Sequence, residues 1–190
     1  MLLGWILVRE TPKGIIKLKI VETEAYHQDD PASHSFHGLT KRTAPMFEAG
    51  GRLYIYFTYG MHYCVNIVTG QKGVGEAVLL RAAEPLEGIE IMQDNRSSTT
   101  VIGSTYHTYG LANGPGKLAQ ALGIKDTSMS GKMLNLSTIF LQQSLEPVKA
   151  REIIASPRIG IRKASEMPWR FYLKNNPFVT RHRYNKEDER

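Results

Sequence analysis

The segment VETEAYHQDDPASHSFHG, residues 21–38, carries Glu22, Glu24, Tyr26, His27, Asp29, Asp30, His34 and His37. So many proton-handling groups are rare in a loop and costly in a core. A carboxylate held beside a cation can orient and deprotonate a water. Glu24, with Arg81 from the apolar run EAVLLRA, offers that chemistry, Glu22 competes for the same role, and a structural ion pair uses the same residue types. The histidines and aspartates lack a zinc spacing such as HExxH and have no second ligand cluster, so no metal is expected and the histidines read as surface or stacking groups.

A second concentration is aromatic. Tyr54, Tyr56, Tyr59 and Tyr63 follow one another closely, with Tyr26 upstream. They fit an ordinary packed sheet face. They equally fit a platform on which nucleobases stack, at roughly 1–3 kcal/mol per base. NGPGKL, residues 113–118, places glycines and Lys117 at a helix start, where phosphate is favoured, but it lacks P-loop spacing and also reads as a plain turn. There is no GxSxG elbow and no evident His partner for Cys64, so covalent acyl chemistry is unsupported.

Strands must position these groups. IIKLKIV, residues 15–21, alternates apolar and charged residues as a half-buried strand does. Continued without a bulge, it turns Glu22, Glu24 and Tyr26 onto the apolar face. RLYIYFTY at 52–59 and YCVNIV at 63–68 read as a hairpin with aromatic residues up to its tip. EAVLLRA at 76–82 is a buried strand in which Arg81 stands out. Pro85 is expected to open a helix reaching about Asn95, Pro115–Leu122 to form another stopped by Gly123, and residues 96–111 to be a loop. The tail predicts a short strand at RIGI and another at Arg170–Leu173. Hairpins rather than alternating helices and strands point to an α+β domain with a mainly antiparallel, curved, open-barrel-like sheet, short flanking helices and a protruding hairpin.

The 190 residues suit one domain, 1–190, with no long linker or repeat. A net charge of +6 favours a polyanionic partner. A single cysteine excludes an intrachain disulfide and suits a reducing compartment, so a cytoplasmic location is expected, at the nucleoid if the source is bacterial. The apolar runs are strand-sized and MLLGWILVRE has no basic leader, so no membrane association is expected.

In order along the chain, VETEAY, His34-Ser35, LYIYFTYGMHYCVNIV, AVLLRAAEPLEG, NGPGKLAQAL and RIGI closely resemble the alkyladenine (3-methyladenine) DNA glycosylases of the animal and bacterial type. The resemblance runs from about Leu2 to about Arg181. It implies base excision repair without a cofactor, by a monomer acting on double-stranded DNA that contains damaged purines. Glu24 matches the general base that activates water, Arg81 the arginine beside it, and the Ile159 main-chain carbonyl the third group holding that water. Glu22 does not hold that place. Tyr26, His34 and Tyr56 match the walls around a flipped base, and Asn66 a residue that crowds the amino group of guanine in some members. Tyr59, with Met61 beside it, matches the wedge that fills the vacated stack. Lys41, Arg42 and Lys117 are the candidates for the DNA backbone. Relatives commonly carry a leading segment before LLG, so the start of this chain is expected to be truncated relative to theirs.

The target nucleotide has to leave the duplex, at a few kcal/mol that damage reduces. A cationic base such as 3-methyladenine then departs readily, whereas neutral hypoxanthine has to gain a proton. The resemblance requires no lysine nucleophile, so the expected product is an abasic site in an uncut strand. Two other readings use the same residues: a non-catalytic DNA- or RNA-binding module, and a metal-dependent nuclease built on the histidines.

Overall fold

The structure, a computed structural model, describes residues 1–97 and 108–185. The alternation that begins at Ile16 extends further than its apolar residues do: β2 runs Gly14–Tyr26, with Ile16, Leu18, Ile20, Glu22 and Glu24 all fully buried. Its other face is covered at Val21 and Thr23 as well. The end of β2 that bears the carboxylates is therefore enclosed on both sides.

Around β2 the described residues form one antiparallel sheet. β1 (Ile6–Thr11), β3 (Leu53–Thr58), β4 (His62–Val68), β5 (Ala77–Glu87) and β6 (Ile139–Gln142) give the order β3-β4-β5-β2-β1-β6. β7 (Ile153–Ser156) pairs with β8 (Arg170–Leu173), and β8 joins β2 where β1 has ended. β2 thus has β5 along one edge, and first β1, then β8, along the other. Register shifts between Ile20 and Thr23 mark bulges, which bend a strand and re-aim its side chains beside functional sites. The sheet curls around a hydrophobic core that includes Leu7, Leu18, Leu80, Met92, Leu118 and Leu122. Each such buried aliphatic side chain contributes roughly 1.5–3 kcal/mol relative to exposure. The α+β class and curved antiparallel sheet agree with the sequence.

Two helices among the described residues, α1 (Ile89–Ser97) and α2 (Pro115–Ala121), pack against each other, and α2 also lies on β4 and β5. Gly123 follows α2 at φ +69°, the stop expected there.

Three expectations are corrected. Pro85 does not open a helix: it continues β5 opposite Leu18, at a register irregularity where a missing N–H is tolerated. The strand ends instead at Gly88, whose φ is +77° and where a Cβ would lie 2.4 Å from the Ile15 carbonyl oxygen, and the helix begins after it. RIGI is not a strand: Gly160 turns the chain at φ +79°, and the strand paired with β8 is Ile153–Ser156. Of the expected loop 96–111, Arg96 and Ser97 are helical and Thr108–Gly110 is a 3₁₀ turn, while 98–107 lie outside the described residues.

Candidate active site

Two strands and one loop meet at the carboxylates. Arg81, on β5, spans both: Nε donates to Glu22 Oε1 at 3.1 Å, and Nη1 lies 3.2 Å from Glu24 Oε1. Burial lowers the pKa of Arg81, but the charges of Glu24 and Glu22 outweigh it, and the net shift is upward. The arginine stays a cation.

The two glutamates differ in their other partners. Glu22 accepts from Arg170 Nε at 2.6 Å and from the Thr180 main-chain N–H at 2.8 Å. Arg170, fully buried, also donates to Ser156 Oγ and Asn185 Oδ1, so Glu22 ties β8 and the C-terminal segment to β2. Glu24 accepts from the Ile159 N–H at 2.7 Å on Oε1 and from the Tyr26 hydroxyl at 2.8 Å on Oε2. A carboxylate has about four lone-pair sites, so Oε2 keeps room for another donor.

Tyr26, Arg81 and Ile159, all partners of Glu24, line one chamber. It has a volume of about 310 Å³ and is walled also by His34, Tyr54, Tyr56, Tyr59, Cys64 and Asn66. Glu24 itself is buried beneath these groups. The sequence grouped Tyr26, His34, Tyr56 and Asn66 around one pocket, and the structure brings them together there. Tyr54 and Cys64 are additional walls; β-strand alternation conceals them, since Tyr54 shares a face with Tyr56 while also reading as ordinary core.

Apart from the Arg81 cation, the walls are aromatic and polar groups set among apolar ones such as Met46 and Leu79. Burial, followed by the charge of Arg42, lowers the pKa of His34 to about 4. Burial raises the pKa of Tyr26, followed by the neighbouring Glu24 charge and the hydrogen bond to it, and burial also raises Tyr54 and Tyr56. At neutral pH the chamber therefore presents a neutral imidazole and protonated phenols. His34 Nδ1 pairs with Tyr54 Oη at 2.9 Å, and its ring meets Tyr56 edge-on at 4.5 Å and 78°, making a corner. Asn66 donates from Nδ2 to the Tyr54 carbonyl at 2.9 Å, which fixes its amide.

The β3–β4 hairpin ends at the chamber. Tyr59 and Gly60 have φ +52° and +68°, and the Met61 N–H donates to the Thr58 carbonyl, as in turns of type I′. Tyr59 is 79% exposed and Met61 65% exposed. A tyrosine at positive φ is strained, and strain of this kind gathers at working sites. At α2 a Cβ on Gly116 would lie 3.0 Å from the His62 ring, so glycine permits the helix start to abut β4.

The remaining candidates are spread out. Lys41 and Arg42 are exposed, with Arg42 Cζ 5.5 Å from the Tyr56 centroid at the rim of the chamber. Lys117, exposed on α2, donates to Asn113 Oδ1 at 2.8 Å. His27 lies against Asp29, and His37 against Phe36. Among the described residues no three His, Cys, Asp or Glu side chains converge as metal ligands.

Sequence reasoning passed over Arg158 and Arg170. Arg170 stands within WRFYL as Arg81 stands within VLLRA, and this lone cation in an apolar strand is the signal that finds both. Arg158 carries no such signal, because it lies in an irregular segment.

A model of the methylpurine-DNA glycosylase family matches residues 1–177. Among similar proteins, one from Francisella tularensis subsp. tularensis strain WY96-3418 is 47% identical over 181 residues, covering 95% of this chain and 90% of the relative. One from Carboxydothermus hydrogenoformans is 46% identical, with the same coverage of both chains. One from Methanoculleus marisnigri is 43% identical, again covering 95% and 90%. All three bear the provisional name 3-methyladenine DNA glycosylase.

Proposed function

We propose, for a chain that belongs to the methylpurine-DNA glycosylase family and is a DNA glycosylase of DNA repair, that it excises 3-methyladenine and related damaged purines by hydrolysis at a flipped nucleotide. Hypoxanthine, ethenoadenine and 7-methylguanine are the further substrates. The observation that carries this reading is Glu24, paired with Arg81 beneath an aromatic chamber of about 310 Å³. That volume suits one base.

Tyr59 enters the duplex and occupies the place of the extruded nucleotide, with Met61 beside it, while Lys41, Arg42 and Lys117 hold phosphates. The base enters between Tyr26, His34 and Tyr56. As the glycosidic bond lengthens, the sugar approaches an oxocarbenium ion, which the Glu24 carboxylate stabilises. Arg81 and the Ile159 N–H fix Oε1, so Oε2 is the oxygen that takes the proton from water. The Ile159 carbonyl is the third group that holds that water. Attack at the anomeric carbon releases the base and leaves an abasic site. Asn66, fixed by its bond to Tyr54, crowds a guanine amino group, so 7-methylguanine is a slower substrate than the purines that lack one.

The protein acts as a single-domain monomer in the cytoplasm, at the nucleoid in a bacterium. A buried lone Cys64 suits that compartment, and among the described residues no helix is long and apolar enough to cross a membrane.

The test is base release from duplexes that each contain one lesion, with chelator present. Release by the wild type, and its loss with retained binding in Glu24→Gln, is the expected result. Binding without release by the wild type would establish the non-catalytic module instead. Strand cleavage lost on chelation and restored by metal would establish the nuclease.

A further inference from the structure

The largest fully buried side chain outside the carboxylate network is Arg158, 1% exposed. Its guanidinium grips Asp30 with both Nη groups, and Nη1 also donates to the Ala25 carbonyl at 3.0 Å. Asp30 is equally buried. Such a pair could simply pin the loop after Tyr26 to the segment that carries Ile159. Its placement does more: Arg158 Cζ lies 4.6 Å from the centroid of Tyr26 and 5.1 Å from that of Trp169. Tyr26 lines the chamber and Arg158 does not. With one face taken by a cation from behind, the ring meets the chamber with the other.

An aromatic face attracts a cation through its quadrupole, by about 0.5–2 kcal/mol depending on desolvation. A cation already bound on the far face draws electron density toward itself and repels a second cation across the ring, with little solvent to screen the pair. A neutral base escapes both effects. Asp30 reduces the repulsion without cancelling it, because the carboxylate holds the Nη edge while the guanidinium faces the ring. Arg42 lies similarly over Tyr56, another wall, but it is exposed and screened by salt. Arg81 also reaches the chamber, but two carboxylates hold it, so the buried cation that bears on an aromatic face of the chamber is Arg158 at Tyr26.

We propose that Arg158, held by Asp30, is a positioning residue that sets base selectivity through Tyr26, tempering the preference of an aromatic chamber for cationic purines so that neutral damaged purines compete. This rests on the glycosylase reading above, and it concerns the ratio between substrates rather than catalysis itself.

The experiment measures single-turnover release by the full chain from two duplexes, one containing cationic 7-methylguanine and the other neutral hypoxanthine. The double variant Asp30→Asn, Arg158→Gln removes both charges, and the ratio of 7-methylguanine to hypoxanthine release is expected to rise by about fivefold. Asp30→Asn alone leaves the arginine uncompensated, and the ratio is expected to fall. If the double variant does not fold, the single variant decides. A purely structural pair predicts parallel losses on both substrates, so an unmoved ratio, or a change of the same sign in both variants, overturns the inference. Wild-type protein that releases neither base but does release 3-methyladenine from a third duplex overturns this inference alone; wild-type protein that releases none of the three overturns the functional reading and this inference with it.

Discussion

The Tyr26 hydroxyl donates to Glu24 Oε2 at 2.8 Å, so a wall of the chamber and the carboxylate below it are joined directly. Two residues apart on one strand, they point to the same side, as the period of a strand requires. Tyr26 thus makes a polar contact with Glu24 as well as offering an aromatic face to the chamber. Tyr26→Phe keeps the ring and loses that bond. A hydrogen bond to a charged group contributes roughly 1.5–3 kcal/mol, so single-turnover release is expected to slow by about ten- to a hundredfold while affinity for abasic-site DNA stays near wild type. An unchanged rate would remove the hydroxyl from the mechanism.

Glu24→Gln keeps the shape and the possibility of bonding Arg81, but removes the carboxylate proposed as the base. Release is expected to fall by roughly a hundred- to ten-thousandfold, with duplex binding retained. A variant that still turns over near the wild-type rate would transfer the role to another group, with Glu22 the first to examine.

Glu22 has a different expected signature. Arg170→Leu removes one of its two arginines and leaves the bonds to Ser156 and Asn185 unmade. Breaking a buried pair from one side costs roughly 3–5 kcal/mol, because the abandoned charge stays buried. Urea unfolding should show that loss. A shift below about 1 kcal/mol would mean that the pair adds little.

His34 gives stability a pH dependence of known sign. Its folded pKa of about 4 lies below the ordinary 6.5, so between those values the unfolded chain takes up a proton that the folded one refuses. Its contribution is complete above pH 6.5 and is lost as the pH falls toward 4. Comparing urea midpoints across that window, His34→Gln should show a shallower decline than wild type. Parallel curves would show that the imidazole titrates freely when folded.

Tyr59 separates strain from function. Replacing it with glycine relieves a positive φ but adds chain entropy to the unfolded state, and these effects nearly offset, leaving stability within about 1 kcal/mol. Release from duplex DNA should nevertheless drop, with a smaller effect on single-stranded substrate. Equal effects on both would exclude a wedge. Binding should also weaken steeply as salt rises, since phosphate contacts release counterions.

Much of the site was legible in linear order because its residues have conspicuous types in strand patterns. Glu24 and Tyr26 share a face by alternation, and Arg81 interrupts an apolar run. The irregular parts were not legible. Pro85 read as a helix start because its missing N–H suits one, yet a register shift in β5 accommodated it as well. RIGI read as a strand from its two isoleucines, while Gly160 makes it a turn that delivers the Ile159 N–H to Glu24.

By itself the sequence determined which residue types were available and in what alternation, and hence the antiparallel class, the tyrosine hairpin and the pairing of a carboxylate with Arg81. Only the tertiary structure showed which partners each glutamate has. Glu22 and Glu24 have the same chemistry, the same strand face and the same full burial. Their difference lies in partners from distant segments: Arg170 and Thr180 close around Glu22, whereas Tyr26 and Ile159 surround Glu24 at the chamber. Local periodicity orients a side chain, but its neighbours across the chain come from the fold.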